Sequence, residues 1–590
     1  MATRRASSGE VVGWEVVNTK LDILGAHAEA WGALRPSERL QYLGKVKRAL
    51  QRMDIYGWCA DSALLQGWDM NTRYGQNVAA TETKTTAYFI KAYIEALMAA
   101  YNDMVAAGDT YESIGPKRQG LRVDTREKTG RKSVHVPRSF GEWAAGTSLD
   151  ILLQQGAPDP RVSPPAVNLA SSQVCVVLGG GSQSYLSVSD ILHQLFVEGQ
   201  VPLFKHHHLR ALSVEPVGKL FSSIIEDGFM DHVLCDPLTT RRLAADPRVG
   251  AVHVTGSKAS HDAILRHLRS AEQEKRMTSQ LSCVTPWVVV PGGDEWTLGE
   301  LEAQAKAVVN GLVKQQACNC YAPNMLVIDA DWPSKETFLT ELRTALALAP
   351  QPPAYYPGTK ERYDNLVAAY EGRSDAVLEY IESPEQEGLA PDFVQDDDPR
   401  KPLQVLLILH KVNMRSFQRA PAFSIEPFAP VLTICEMENT LNDEALFLKQ
   451  TARFLNNHVF GSLSCTLIVH YSLQGSEAVE KAVDDLRYGC ICINGSSSAM
   501  FLAPNGVWGA FPGASVDLAK SGIGFVHNCL LLSNVEKGVL RQAFATNASA
   551  QTDHPGENPG NTTLVRRNAE FMVRPNPWRL AKVAGAAMFG

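Results

Sequence analysis

The chain has 590 residues, 45% of them hydrophobic and 20% charged, with a formal net charge of −7. That length exceeds what one hydrophobic core usually organises, so two or three lobes are expected. The mild acidity excludes a nucleic-acid binder and points to small molecules or other proteins as partners.

Eleven cysteines follow no regular framework, and an odd count in a long chain suits reduced thiols in a reducing compartment. The cytoplasm is therefore the expected location. The start MATRRASSGE carries two arginines and leaves organellar import open, although Glu10 arrives early for a transit peptide. Apolar runs such as 404–410 are too short to cross a bilayer. The basic, apolar end RLAKVAGAAMFG reads as a packed terminal segment that leaves room for peripheral contact with a membrane surface.

Residues 27–108 show helical spacing of aromatic and aliphatic positions, as in AYFIKAYIEALMAAYNDMVAAG. From Lys117 to Lys132 the chain turns basic and polar, as a solvated ribbon or loop does. After VSPPAVNL comes QVCVVLGGGSQSYLSVSDILHQLFVEGQVPLFKHHH, an apolar strand, a glycine-rich turn, a helix and a second strand. Such a β-turn-α-β unit seats nucleotides at its strand ends, although GGGS is not GxGxxG. VGAVHVTGSKASHDAI predicts another strand, ending at Thr255, Gly256 and Ser257 and opening a helix whose N-terminus faces outward to an anion.

A helix, ELEAQAKAVVNGLVKQQ, then delivers QQACNCYAPNMLV, with two cysteines one residue apart before a strand. A thiol attacks a carbonyl only as thiolate, so it needs a partly exposed position and nearby donors for the oxyanion. Residues 350–402, rich in Pro, Tyr and acids, read as surface excursions. LQVLLILHKV, VLTICEM, SCTLIVHY and GCICING predict further strands, and the polar stretch from Ala545 to Asn561 a mobile tail. The C-x-C pairs 318/320 and 490/492 match no standard zinc spacing, and His206, His207 and His208 on an extended segment point to opposite faces, so no metal site is expected.

The order of these blocks resembles the aldehyde dehydrogenase superfamily, in its longer divergent members, over about residues 165–590. VVLGGGS with VPLFK, HVTGSKASHDAI, SQLSCVTPWVVVPG, ACNCYAPNMLV, IEPFAPVL, LRYGCICING and WGAFPGASVDLAKSGIG follow one another as the family's blocks do. The resemblance implies an α/β fold, with a Rossmann-type dinucleotide-binding domain, an α/β catalytic domain and an oligomerisation arm. The corresponding boundaries are 1–282 for a helical start and the dinucleotide-binding domain (with an oligomerisation ribbon at about 115–165), 283–515 for the thiol domain and 516–590 for the arm and tail. It also implies NAD or NADP as cofactor, a small-molecule aldehyde substrate and a homo-oligomer.

Residue by residue, the nucleophile is Cys318 or Cys320. The C-x-A-P form favours Cys320, while Gln316 and Cys318 fit only Q-x-C. The position of the family's general base holds Gln280, and the oxyanion asparagine, 23 positions before Lys205, is Ser182. An amide cannot accept a proton, and losing such a base costs roughly 10² to 10⁴ in rate. The resemblance assigns Lys205 to the adenosine ribose and Thr255, Gly256 and Ser257 to the pyrophosphate. Glu426 falls to the nicotinamide ribose and Phe428 to its ring, while His261 and Ala429 replace two family glycines. Three readings follow: an NAD(P)-dependent aldehyde dehydrogenase, a catalytically impaired member kept as a binding or structural subunit, or a variant passing its thioester to another acceptor.

Overall fold

The computed structural model describes residues 9–111, 122–126, 130–136, 146–161, 168–293, 295–349, 353–382, 388–393, 398, 400–412, 419–438, 443–548 and 562–589. Parts of the 115–165 ribbon and most of the polar tail between Ala545 and Asn561 lie outside them.

Four helices open the chain: Trp14–Ala33, Pro36–Leu50, Ile55–Leu65 and Arg73–Ala106. The last is 34 residues long, started by Thr72, whose hydroxyl accepts from the Gly75 amide. Its buried stripe, Ala80, Ala87, Ile90, Ile94, Leu97, Tyr101 and Met104, repeats at helical spacing and faces the core.

Two sheets follow. The smaller has six strands in the order Gly522–Ile523, Arg276–Gln280, Val249–Thr255, Val174–Leu178, Val201–Lys205, Asp231–Val233. All pair in parallel except Gly522–Ile523, which closes one edge antiparallel to Arg276–Gln280. VCVVL and VPLFK are continuous apolar runs because helices cover both faces of a parallel sheet.

The larger sheet has eleven strands. From one edge they run Val123–Thr125, Lys132–His135, Ser148–Leu153, Val535–Arg541, Cys490–Ile493, Ser464–Val469, Thr285–Val290, Pro323–Asp329, Val431–Met437, Val405–Val412, Ala376–Ile381. Its centre is parallel; both edges are antiparallel. The chain passes from one sheet to the other between Gln280 and Thr285. The ribbon strands Lys132–His135 and Ser148–Leu153 extend this chain's own larger sheet through Val535–Arg541.

One expectation is corrected here. Residues 353–370 are not a surface excursion. Tyr363, Leu366 and Tyr370 of helix Thr359–Tyr370 are buried against Leu406, Ile408, Ala422 and Val431, and Tyr355 is buried as well. Proline-rich composition marks turns, but these aromatic side chains gain by leaving water and draw the segment inward.

The described cysteines are all free thiols, and no described helix is long and apolar enough to cross a membrane.

Candidate active site

Helix Leu298–Val313 begins in a capping box: Thr297 accepts from the Glu300 amide and Glu300 reaches back to the Thr297 amide. It ends in the tight turn Lys314–Ala317, where Gln315 and Ala317 take φ of 54° and 58°. Left-handed backbone costs a non-glycine residue roughly 1–2 kcal/mol. That strain sits directly before the two cysteines.

The turn sends them to different places. Cys318 is fully buried; its Sγ lies 3.4 Å from the Thr359 hydroxyl and donates to the Phe428 carbonyl at 3.4 Å. Cys320 is half-buried at the start of strand Pro323–Asp329, and its carbonyl accepts from the Thr285 hydroxyl at 3.3 Å. Burial pushes both thiols up to about 12. For Cys320 the nearby Glu426 carboxylate adds to the rise, and side-chain hydrogen bonding from Gln280 works against it. At neutral pH the thiolate is scarce.

Gln280, the last residue of Arg276–Gln280, is buried and faces this thiol. Its backbone pairs with Gly522, whose φ of 129° lets it approach the Ser279 carbonyl more closely than any Cβ allows. Glu426 is half-buried, hydrogen-bonded by the Ser282 side chain and the Cys283 amide, and burial pushes its carboxyl up to about 7.

Ser182 lies in the glycine-rich turn after strand Val174–Leu178. Its carbonyl accepts from Arg210 Nη2 at 2.6 Å and from the Tyr355 hydroxyl at 3.4 Å, and the residue lies in the turn that Arg210 ties down, also through the Gly181 carbonyl at 2.9 Å. The neighbour Gln183 reaches the Cys320 loop, donating to the hydroxyl of Tyr321 and, at 3.1 Å, to Gln315 Oε1. Tyr185 and Tyr321 both lie within electrostatic reach of Cys320. These aromatic and amide groups line a cavity of about 740 Å³ that also borders Glu82 and Trp287. Counting back from Lys205 fixes a register but not which side chain turns toward the thiol, so Gln183 and both tyrosines escaped that reading; YAP, with its tyrosine beside the thiol, was the available signal.

At the smaller sheet's carboxyl end Lys205 is half-buried, its ammonium without a hydrogen-bond partner among the described residues, and burial lowers its pKa. Gly256 has open space where a Cβ would stand. Ser257 caps helix Lys258–Ser270, accepting from the Ser260 amide at 3.1 Å. Thr255 turns inward, donating to Asp190 at 2.9 Å. His261 is buried, with Nε2 2.9 Å from the Val516 carbonyl. The histidine triplet splits: His206 pairs with His232 at 3.0 Å, His207 stacks on Tyr356, and His208 is exposed. Phe428 adopts φ of 46° and meets Tyr356 edge-on with ring centres 4.9 Å apart. Among the described residues no group of three or more His, Cys, Asp or Glu is placed to hold a metal ion.

A thiol between two α/β sheets, with a glycine-rich strand end on one side, is the arrangement that the comparisons address. The family model described as the aldehyde dehydrogenase family matches residues 186–506, more than half of the chain. The chain belongs to the aldehyde dehydrogenase family. Solved aldehyde dehydrogenases share its fold at low identity. Aldehyde dehydrogenase 21 from Physcomitrella patens, in complex with the reaction product succinate, is 13% identical, with 90% of each chain covered and a TM-score of 0.58. Aldehyde dehydrogenase C from Pseudomonas syringae, a cysteine-to-alanine mutant complexed with NAD+ and octanal, is 12% identical over 91% of this chain and 90% of that one, with a TM-score of 0.58. The NADP-dependent glyceraldehyde-3-phosphate dehydrogenase from Bacillus halodurans, complexed with NADP, is 12% identical over 90% and 92%, with a TM-score of 0.56. No curated protein matches the sequence. In this aldehyde dehydrogenase family member an amide, Gln280, stands against the half-buried thiol.

Proposed function

We propose that the chain oxidises an aldehyde with NAD or NADP, through addition of the Cys320 thiol to the carbonyl. The observation that carries this is the contrast between its two candidate thiols. Cys320 is half-buried beside the cavity lined by Tyr321 and Gln183, whereas Cys318 is sealed between Thr359 and Phe428. That contrast supports Cys320 over Cys318 as the thiol that meets a substrate.

The adenosine end of the cleft suits a dinucleotide. Lys205 holds an unpartnered ammonium that a ribose hydroxyl satisfies, and Gly256 leaves its backbone open to a phosphate. Crystallised relatives from Pseudomonas syringae and Bacillus halodurans carry NAD+ and NADP. When bound, the cofactor supplies the hydride acceptor.

The remaining steps fall to this chain's own side chains. The Gln280 amide steadies the Cys320 sulfur as charge develops there but cannot take its proton. Glu426, with its carboxyl near 7 and its charge felt by that thiol, is a group able to accept one at neutral pH. The Cys320 amide offers an oxyanion donor.

The test is a rapid-mixing assay with a panel of aldehydes and each cofactor. A burst of one reduced cofactor per chain followed by slow turnover is expected, since acylation needs the thiol while deacylation also needs a base. Absence of any burst sinks the reading. A second reading, a catalytically impaired binding subunit, is favoured by the thiol pushed up to about 12 and by Gln280, and it predicts that absence.

A further inference from the structure

The segment Pro353–Arg362 ties the two walls of the cleft together. The Tyr355 hydroxyl donates to the Ser182 carbonyl, on the smaller-sheet side, at 3.4 Å. Tyr356 stacks on His207, two residues beyond Lys205, with ring centres 5.7 Å apart and planes inclined by 24°. The same ring also meets Phe428, on the larger-sheet side, at 4.9 Å. Thr359 donates to the Phe428 carbonyl at 3.3 Å, and Arg362 donates to the Pro427 carbonyl at 3.0 Å while its guanidinium lies 5.7 Å from the Phe428 ring.

Aromatic rings in contact keep their centres roughly 4.5–7 Å apart. One ring therefore fills the space between His207 and Phe428, and a second planar ring finds no room there. The adenosine end is different: the Lys205 ammonium has no hydrogen-bond partner among the described residues, and Gly256 has open space where a Cβ would stand.

The attachment is also local. Helix Thr359–Tyr370 is anchored on the larger sheet by Tyr363, Leu366 and Tyr370. The two tyrosines ahead of it are joined to that helix through Pro357 and Gly358, which has φ of 75°. Glycine there lets the backbone change direction without moving the helix.

We propose that the strap Pro353–Gly358 closes the nicotinamide end of the cleft, so that a dinucleotide binds whole only after Tyr356 swings out from between His207 and Phe428. The inference rests on the reading of the cleft as an NAD(P) site. A ligand that needs only the adenosine end enters whether the strap is in or out, while a dinucleotide competes with it.

The experiment measures dissociation constants of the full chain for NAD+, NADP+ and ADP by calorimetry, for the unaltered protein, Tyr356→Gly and Tyr356→Phe. Removing the ring is expected to tighten both dinucleotides about tenfold or more, since the apparent affinity is reduced by the fraction of open protein. ADP affinity stays the same in all three proteins and shows that the variants are folded; Tyr356→Phe, which keeps the ring, behaves as the unaltered protein. Equal dinucleotide affinity with and without the ring, including no binding by either, overturns the strap. Tighter binding to Tyr356→Gly with no aldehyde-dependent burst from any of the proteins upholds the strap and sinks aldehyde oxidation instead.

Discussion

Gln183 donates its side-chain amide to the hydroxyl of Tyr321, the residue that follows Cys320. Both groups are buried, so the bond holds the thiol's loop against the glycine-rich turn of the smaller sheet. Tyr321→Phe removes the acceptor while Gln315 Oε1, at 3.1 Å, keeps a second one for the amide. The expected cost is about 1 kcal/mol in urea denaturation. Gln183→Leu is expected to cost a similar amount, and the double variant less than both together, because the pair is in direct contact. Strict additivity would show that the bond does not couple them.

Thiol chemistry separates the two cysteines. Alkylation by a neutral reagent is expected at Cys320 and not at Cys318 in the folded protein, read by mass spectrometry. Because burial pushes the Cys320 thiol up to about 12, its rate should climb about tenfold per pH unit between 7 and 10 with no plateau. A plateau near pH 8 would mean that a group in the site already deprotonates it.

Glu426 gives a pH signature in stability. Burial raises its folded-state pKa from 4.5 to about 7, so the folded chain holds a proton that the unfolded chain has released over that interval. Its contribution to stability therefore falls as pH rises from about 4.5 to about 7, then levels off. Glu426→Gln should remove that slope, gaining on the unaltered protein between pH 5 and 8 by on the order of 1–3 kcal/mol. The buried histidines His193, His253 and His527, pushed down to about 3, produce the opposite slope in both proteins and cancel in the difference. Parallel stability curves for the two proteins would contradict the raised carboxyl.

Restoring a carboxylate against the thiol tests the chemistry. Gln280→Glu is expected to raise steady-state turnover by roughly 10² or more over the burst-limited protein, since hydrolysis of the thioester gains a base. The burst amplitude should stay at one per chain. An unchanged steady state would place the limiting defect elsewhere.

Much of the architecture was legible because parallel strands buried on both faces leave continuous apolar runs: VCVVL, VPLFK and CICI are all strands of the two sheets. The separate fates of Cys318 and Cys320 were not, since a tight turn with two left-handed residues decides them and nothing in QQACNC announces it. The contact of Gln183 with the Cys320 loop was hidden for a related reason: side-chain direction at a strand-to-helix turn changes sharply from one residue to the next. Residues 353–370 were misread because proline and glycine announce a turn without saying what the turn lies against; the tyrosines at 355, 356, 363 and 370 were the clue that it is buried.

The pairing of Gln280 with Gly522 joins residues far apart in the chain. During synthesis the strand Arg276–Gln280 emerges first and waits, one edge unprotected, while seven strands of the larger sheet, from Thr285–Val290 to Cys490–Ile493, are still being made. The smaller sheet is completed only when Gly522 and Ile523 arrive, so the residue facing the thiol gains its final backbone neighbour long after its own strand is made. A nascent chain released before Gly522 would carry the nucleophile and its amide without the strand that holds them in register.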